Sequence, residues 1–398
     1  MRPTAPIALA SLLLGCASTP DPHSDAITSV TPAPEWNVVF ERTEGWIGGD
    51  GAATVSIGND ALWLFGDSGI GRVENGKYAP GSTLVNNAVA LHTRGHAPPT
   101  EAVRFAWGAT SPEGKPSALF VPPRPGEWYW PTGGGATFSK DGPRLVLFMS
   151  RLFRPREHDD GVWNFEGRGS DLLWIENPGP DPRSWTPQIV PTPGAARPDL
   201  AAPARRITWG TAIWVREARR AAELYIFGVD TTDPLNKKAL LARTDAATAR
   251  QTDRWEFWKG GVGSPWSGRL EGAAPVAEHV MDEFSVTPLY HERTSSTRFY
   301  MVYSEELLGR RILARAAAYV DGPWSQPVTL YTCPEPTTDP RLIVYSAKAH
   351  PELSREGELL VSYCVNSTDF WHMLSDASIY RPRFIRVPLS LLPEPPAR

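Results

Sequence analysis

Apolar and polar positions alternate in short stretches along most of the chain, and five of the apolar runs look alike. They are Leu62-Trp63-Leu64-Phe65, Leu145-Val146-Leu147-Phe148, Leu224-Tyr225-Ile226-Phe227, Phe299-Tyr300-Met301-Val302 and Leu359-Leu360-Val361. Centred on Leu64, Leu147, Ile226, Met301 and Val361, they lie 83, 79, 75 and 60 residues apart. Runs this short, rich in aromatic and branched residues, predict strands rather than helices. A turn-rich gap and another short strand precede each run, at 53–57, 136–139, 211–215, 284–289 and 349–353. Hairpin signals such as Gly58-Asn59-Asp60 and Lys140-Asp141-Gly142 fill the gaps. A third strand follows each run, at 87–91, 171–175, 239–243, 312–316 and 384–387, with outer strands at 185–190, 255–258 and 328–331.

Five repeats of three or four antiparallel strands predict an all-β chain and, within that class, a five-bladed β-propeller. Asn37-Val38-Val39-Phe40, ahead of the first repeat, would complete the last blade and close the ring. A β-sandwich with irregular loops is the alternative, but it would not explain a hairpin plus third strand at each interval. Helix-like patches such as 242–250 are short. The propeller spans 36–392 as one domain, and 393–398 is a Pro-rich tail.

The amino terminus reads as an address. Arg2 precedes an apolar stretch from Ile7 to Leu14, and Leu13-Leu14-Gly15-Cys16 resembles the bacterial lipobox. Residues 1–15 are then a lipoprotein signal too short to span a bilayer, Cys16 the lipidation site, and 16–35 a flexible tether. Ala17 after the cysteine points to the outer membrane, so the protein is expected to be exported and to touch a membrane only through its anchor. Cys333 and Cys364 are left as either a disulfide or two thiols.

Composition narrows the partners. Of 398 residues 41% are hydrophobic, which excludes disorder, and 40 Lys plus Arg against 44 Asp plus Glu leave no basic field for nucleic acid. The unusual counts are 16 Trp and 40 Pro. Many Trp on a β-rich fold suit flat or ring-shaped ligands, and a polysaccharide is the expected partner of a monomer.

In a propeller the starts of first strands, ends of second strands and starts of third strands meet at one mouth, and those positions here are far more polar than the strands between them. Asp50 sits in Gly48-Gly49-Asp50-Gly51, Asp67 in Phe65-Gly66-Asp67-Ser68, and Glu283 leads Glu283-Phe284-Ser285. Paired carboxylates around a cleft are what glycoside hydrolysis needs: one protonates the leaving oxygen and the other attacks or activates water. Asp50, Asp67 and Glu283 are therefore the catalytic candidates, although each acid alone would serve equally as a turn residue. Asn87, Trp130, Trp209, Asp230, Arg311, His350 and Asn366 are expected to bind sugar at the same mouth. No metal-ligand spacing is present and no cofactor is implied, with a channel calcium left open. A non-catalytic carbohydrate-binding lipoprotein is the rival reading.

Trp46-Ile47-Gly48-Gly49-Asp50-Gly51, Leu62-Trp63-Leu64-Phe65-Gly66-Asp67-Ser68, Asn86-Asn87, His350-Pro351-Glu352-Leu353 and Ser362-Tyr363-Cys364-Val365-Asn366 together resemble the bacterial propellers of domain of unknown function 4185. That group includes the endo-D-arabinanases of glycoside hydrolase family 183. The resemblance implies endo-acting cleavage of D-arabinan, and similarity in position to the wider propeller glycosidases, including the arabinanases of family 43, implies Asp50 as base or nucleophile, Glu283 as acid and Asp67 as a second catalytic carboxylate or a pKa-tuning partner.

Overall fold

The computed structural model describes residues 29–93, 102–139, 142–156, 161, 164–195, 205–217, 221–261 and 265–397. The signal, Cys16 and most of the expected tether lie outside the described residues, as do Lys140 and Asp141 of one hairpin signal.

The chain is all-β. Five antiparallel sheets follow one another in sequence. Sheet I holds Ala53–Ile57, Asp60–Phe65, Ala88–Thr93 and Val103–Ala106; sheet II holds Glu127–Ser139, Gly142–Phe153, Glu166–Glu176 and Gln188–Pro191. Sheet III runs Ile207–Arg216, Glu223–Asp230, Lys238–Asp245 and Glu256–Trp258, with two further short strands, and sheet IV runs Phe284–His291, Ser296–Ser304, Arg311–Ala317 and Val328–Thr332. Sheet V holds Leu342–Ala349, Glu358–Ser367 and Pro382–Pro388, and its fourth strand is Thr31–Pro32 from the other end of the chain. A small extra sheet, Glu44–Gly49 with Ser68–Glu74, Lys77–Tyr78 and Thr83–Val85, carries the first acidic motif.

The first strands of successive sheets pack against one another, I on II, II on III, III on IV and IV on V. Sheet V returns to sheet I through hydrogen bonds: Ser346 Oγ donates to the Gly51 carbonyl at 3.2 Å, and Thr54 Oγ1 bonds His350 Nδ1 at 2.8 Å. The crowding of these inner strands explains Gly133-Gly134-Gly135. A Cβ on Gly133 would stand 2.6 Å from the Gly210 carbonyl oxygen, and one on Gly135 would stand 2.9 Å from Val215. Between neighbouring sheets lies a core rich in fully buried aromatic side chains, among them Trp36, Trp46, Trp63, Trp209 and Trp255.

Three expectations need correction. The first strand of sheet V is Leu342–Ala349, whereas residues 351–353 form a 3-10 turn, because Pro351 has no N–H to give a ladder. Residues 37–40 do not complete sheet V: Pro34–Asn37 and Val38–Phe40 are helical turns whose Trp36 and Phe40 plug the core, with Phe40 stacked on Phe384 at 5.4 Å. The expected tether also ends earlier than 35, since Thr31–Pro32 is paired and Ala33 is fully buried. Cys333 and Cys364 are separate buried thiols.

His350 fastens sheet V to sheet I. It is fully buried, its Nδ1 on Thr54 and its Nε2 on Ser362 Oγ at 2.8 Å. Burial, with the nearby Lys348 charge second, pushes its pKa down to about 3, so the ring is neutral. His350→Ala should lower unfolding free energy by about 2 kcal/mol, because it strands two hydroxyls at the ring closure. The native imidazole resists protonation while the unfolded one titrates near 6.5, so this contribution is present above that pH and lost as pH falls toward 3. Urea unfolding from pH 4 to 8 measures both effects, and an unchanged midpoint in the variant would refute the assignment.

Candidate active site

Asp50 and Asp67 reach one place from different strands because the backbone ties their segments together. Asp50 follows Glu44–Gly49 and Asp67 follows Asp60–Phe65. Gly66 N–H donates to the Asp50 carbonyl at 3.0 Å and Asp50 N–H donates to the Asp67 carbonyl at 3.3 Å. Any side chain at position 66 would collide with this pair, since a Cβ there would lie 2.5 Å from Asp50 Oδ1. The Gly-Asp-Gly and Phe-Gly-Asp motifs are thus two halves of one contact.

Each carboxylate has its own partners. Tyr345 Oη donates to Asp50 Oδ2 at 2.6 Å and in turn accepts from Asn366 Nδ2 at 3.3 Å. Tyr380 also bonds Asp50. Trp130 Nε1 donates to Asp67 Oδ1 at 2.8 Å, and Asn86 Nδ2 reaches the same oxygen at 3.1 Å. Across the pocket Glu283 is ion-paired, its Oε1 3.2 Å from Nζ of the buried Lys348. The three acids line a single pocket of about 860 Å³ together with Trp130, Tyr345 and Asn366.

Burial pushes the Asp50 carboxyl up to about 7, helped by the charges of Asp67 and Glu283 and opposed by the bonds from Tyr345 and Tyr380. Burial raises Asp67 to about 6 against the bonds from Trp130 and Asn86. Burial makes two ionised carboxyls costly here, and the Asp67 charge adds to the cost at Asp50, so the pair keeps a proton up to near neutrality.

The other expected sugar-binding residues stand elsewhere. Asn87 is fully buried, donating to the Phe120 and Tyr129 carbonyls while its Oδ1 accepts from Phe120 N–H; its neighbour Asn86 is the one that faces the pocket. Trp209 is a core residue with its indole on the Pro193 carbonyl. Asp230 is taken up by Arg205 at 2.8 Å and by Thr232. Arg311 is paired with Glu305 on the surface, and His350 is the buried fastener already described. None of these five lines the pocket. The residues that the sequence does not single out are Tyr345 and Tyr380, which bond Asp50, and Lys348, which pairs with Glu283. Among the described residues no group of three or more His, Cys, Asp or Glu side chains forms a metal-binding set.

Raised carboxyl pKa values make the pair a liability at neutral pH. The native acids keep a proton that the unfolded chain gives up near 3.8, so their contribution to stability is fully present below about pH 4 and is lost as pH rises toward 7. Asp50→Asn should therefore melt about 2–4 °C above the parent at pH 8 and close to it at pH 4. A melting point lower than the parent's at both values would overturn this account.

The fold has solved counterparts. A protein from Bacteroides ovatus, provisionally named a hydrolase, aligns over 90% of both chains at TM-score 0.67 and 20% identity, which shows a shared fold. An exo-β-1,3-galactanase of Phanerochaete chrysosporium (TM-score 0.43, 12% identity, 89% of this chain and 65% of that one) aligns more loosely. So does an α-L-arabinofuranosidase of Podospora anserina (TM-score 0.43, 12% identity, 86% of this chain and 91% of that one), and neither enzyme carries an assignment. No curated protein sequence matches the chain. The resemblance to domain of unknown function 4185, and with it to glycoside hydrolase family 183, is overturned by the family match. Its most specific motifs encode the Asp50–Gly66 contact, which any chain placing an acid there would need. Residues 34–389 match the model described as Domain of unknown function (DUF5005), and the chain belongs to that family.

Proposed function

We propose that the protein is a glycoside hydrolase built on a five-bladed β-propeller, with its reaction centre at the pocket shared by Asp50, Asp67 and Glu283. The observation that carries this reading is the chemistry of the three acids. Two of them are raised toward neutral pH by burial, while the third is held as an ion pair, and all three line one pocket. That division supplies a proton donor for a leaving glycosidic oxygen and a separate carboxylate to attack or to activate water. The Asp50–Asp67 pair is the acid in this reading and Glu283 the second carboxylate, the reverse of the roles drawn from the motifs. Five sheets arranged around a ring of inner strands support the blade count.

Trp130 has two tasks: its indole N–H fixes Asp67, and its ring, in edge contact with Phe165 at 4.8 Å, offers a face on which a sugar can stack. Tyr345 and Asn366 form a chain that orients Asp50. D-arabinan stays among the substrates to be tried, although the family match removes the resemblance that singled it out. The lipobox places the enzyme on the outside of the cell as an acylated Cys16 lipoprotein, and Cys16→Ser should move it from the membrane fraction to the soluble one.

The full chain incubated with a panel of polysaccharides that includes D-arabinan should release new reducing ends. Asp50→Asn and Glu283→Gln should each lower that rate about 10²–10⁴-fold without loss of fold. Activity should fall above about pH 7 as the Asp50–Asp67 pair gives up its proton. Binding without release across the panel, or full activity in both variants, would sink the proposal.

A further inference from the structure

The pocket has a second character on the side of sheets III and IV. The hairpin between Ser296–Ser304 and Arg311–Ala317 turns at Leu307 and Leu308, both left-handed with φ of 56°. Gly309 N–H closes the turn on the Glu306 carbonyl at 3.1 Å. This is the hand of a type I′ turn, which asks for Asn and Gly because a branched side chain in that region costs about 1–2 kcal/mol. Two leucines occupy it instead. They are 83% and 44% exposed, so the core does not require them either. The equivalent hairpin of sheet III carries Leu235 at its tip, 74% exposed, on a turn that Asp233 organises through the Leu235 N–H at 3.0 Å. All three leucines line the same pocket as the carboxylates.

Scattered exposed leucines need no explanation. Three that converge on one cavity, two of them against the conformational preference of their own turn, do. We propose that Leu235, Leu307 and Leu308 form a subsite for the apolar aglycone of a glycoside whose sugar lies at Asp50, Asp67 and Glu283. The inference rests on the proposed function only in taking the pocket to hold sugar. A bilayer or a second copy of the chain would meet these leucines from outside. The apolar side chains of Met281, Phe370 and Met373 line the same pocket, which favours a ligand that enters it.

The test is calorimetric titration of the full chain with methyl, hexyl and octyl arabinofuranosides and glucopyranosides below their micelle concentrations. In the parent, hexyl glycosides of the accepted sugar should bind about tenfold tighter than methyl ones. The double variant Leu307→Asn with Leu308→Gly restores the favoured turn sequence, so it should melt no lower than the parent while losing most of that difference. Leu235→Ser provides a second, independent loss. Equal affinity for methyl and octyl glycosides in the parent, or an undiminished difference in both variants, overturns the subsite. So does a result in which the variants lose only sedimentation with phosphatidylcholine vesicles or only a concentration-dependent dimer. Because no cleavage is read, chain-length-dependent binding without hydrolysis of any polysaccharide would leave the subsite standing and remove the glycosidase reading.

Discussion

The contact of Asp50 with the Gly66-Asp67 corner is the constraint on which the site depends. Two carboxyls are brought together by backbone hydrogen bonds and buried, and the Asp67 charge adds to the cost of ionising Asp50. Their repulsion is relieved by a proton. The fold accepts this because the rest of the ring holds the segments in place: Ser346 of sheet V, itself left-handed with φ of 56°, grips the Gly51 carbonyl just beyond the acid. Strain at a rigid position and destabilised charge at an adjacent one are the marks of a site arranged for chemistry rather than for stability.

The junction of sheets V and I and the construction of the site use the same joint. Thr54, Asp50 and Gly51 on one side meet His350, Tyr345 and Ser346 on the other. A buried neutral imidazole holds the joint at one level and a tyrosine orients the acid at another. Their titrations oppose each other, since His350 favours higher pH and the carboxyl pair favours lower pH. The protein is thereby expected to be most stable in a window set by both.

Much of the architecture was legible in the chain. The repeated apolar runs mark the second strand of every sheet, and the polar positions at strand ends single out Asp50, Asp67 and Glu283, which do line one pocket. The errors have physical causes. Pro351 displaced the predicted first strand of sheet V by several residues, and Tyr345 was hidden with it. Tyr380 lies before the last strand in a segment without periodicity, so only the folded chain shows it at Asp50. Asn87 and Trp209 occupy the right ends of the right strands but face inward, whereas His350 follows the last residue of its strand, at the other end from the mouth; a one-residue difference of register, as between Asn86 and Asn87, exchanges pocket for core. The short motifs that suggested a family record a local steric demand, the room that Asp50 needs at Gly66.

The two-residue strand Thr31–Pro32 joins residues 385 and 386 at the far end of the chain, and just beyond it Arg386 ion-pairs both Glu35 and Glu358, the first of these across 351 residues. During synthesis this segment is made before any of the five sheets, and its partner strand Pro382–Pro388 only after sheets I to IV. Sheets I to IV can assemble in order as they emerge, but sheet V cannot gain its fourth strand until the carboxy-terminal strand arrives. The segment at 31–35 therefore acts as a latch on sheet V: a chain cut before residue 382 can be richly β-structured and still leave that sheet unlatched.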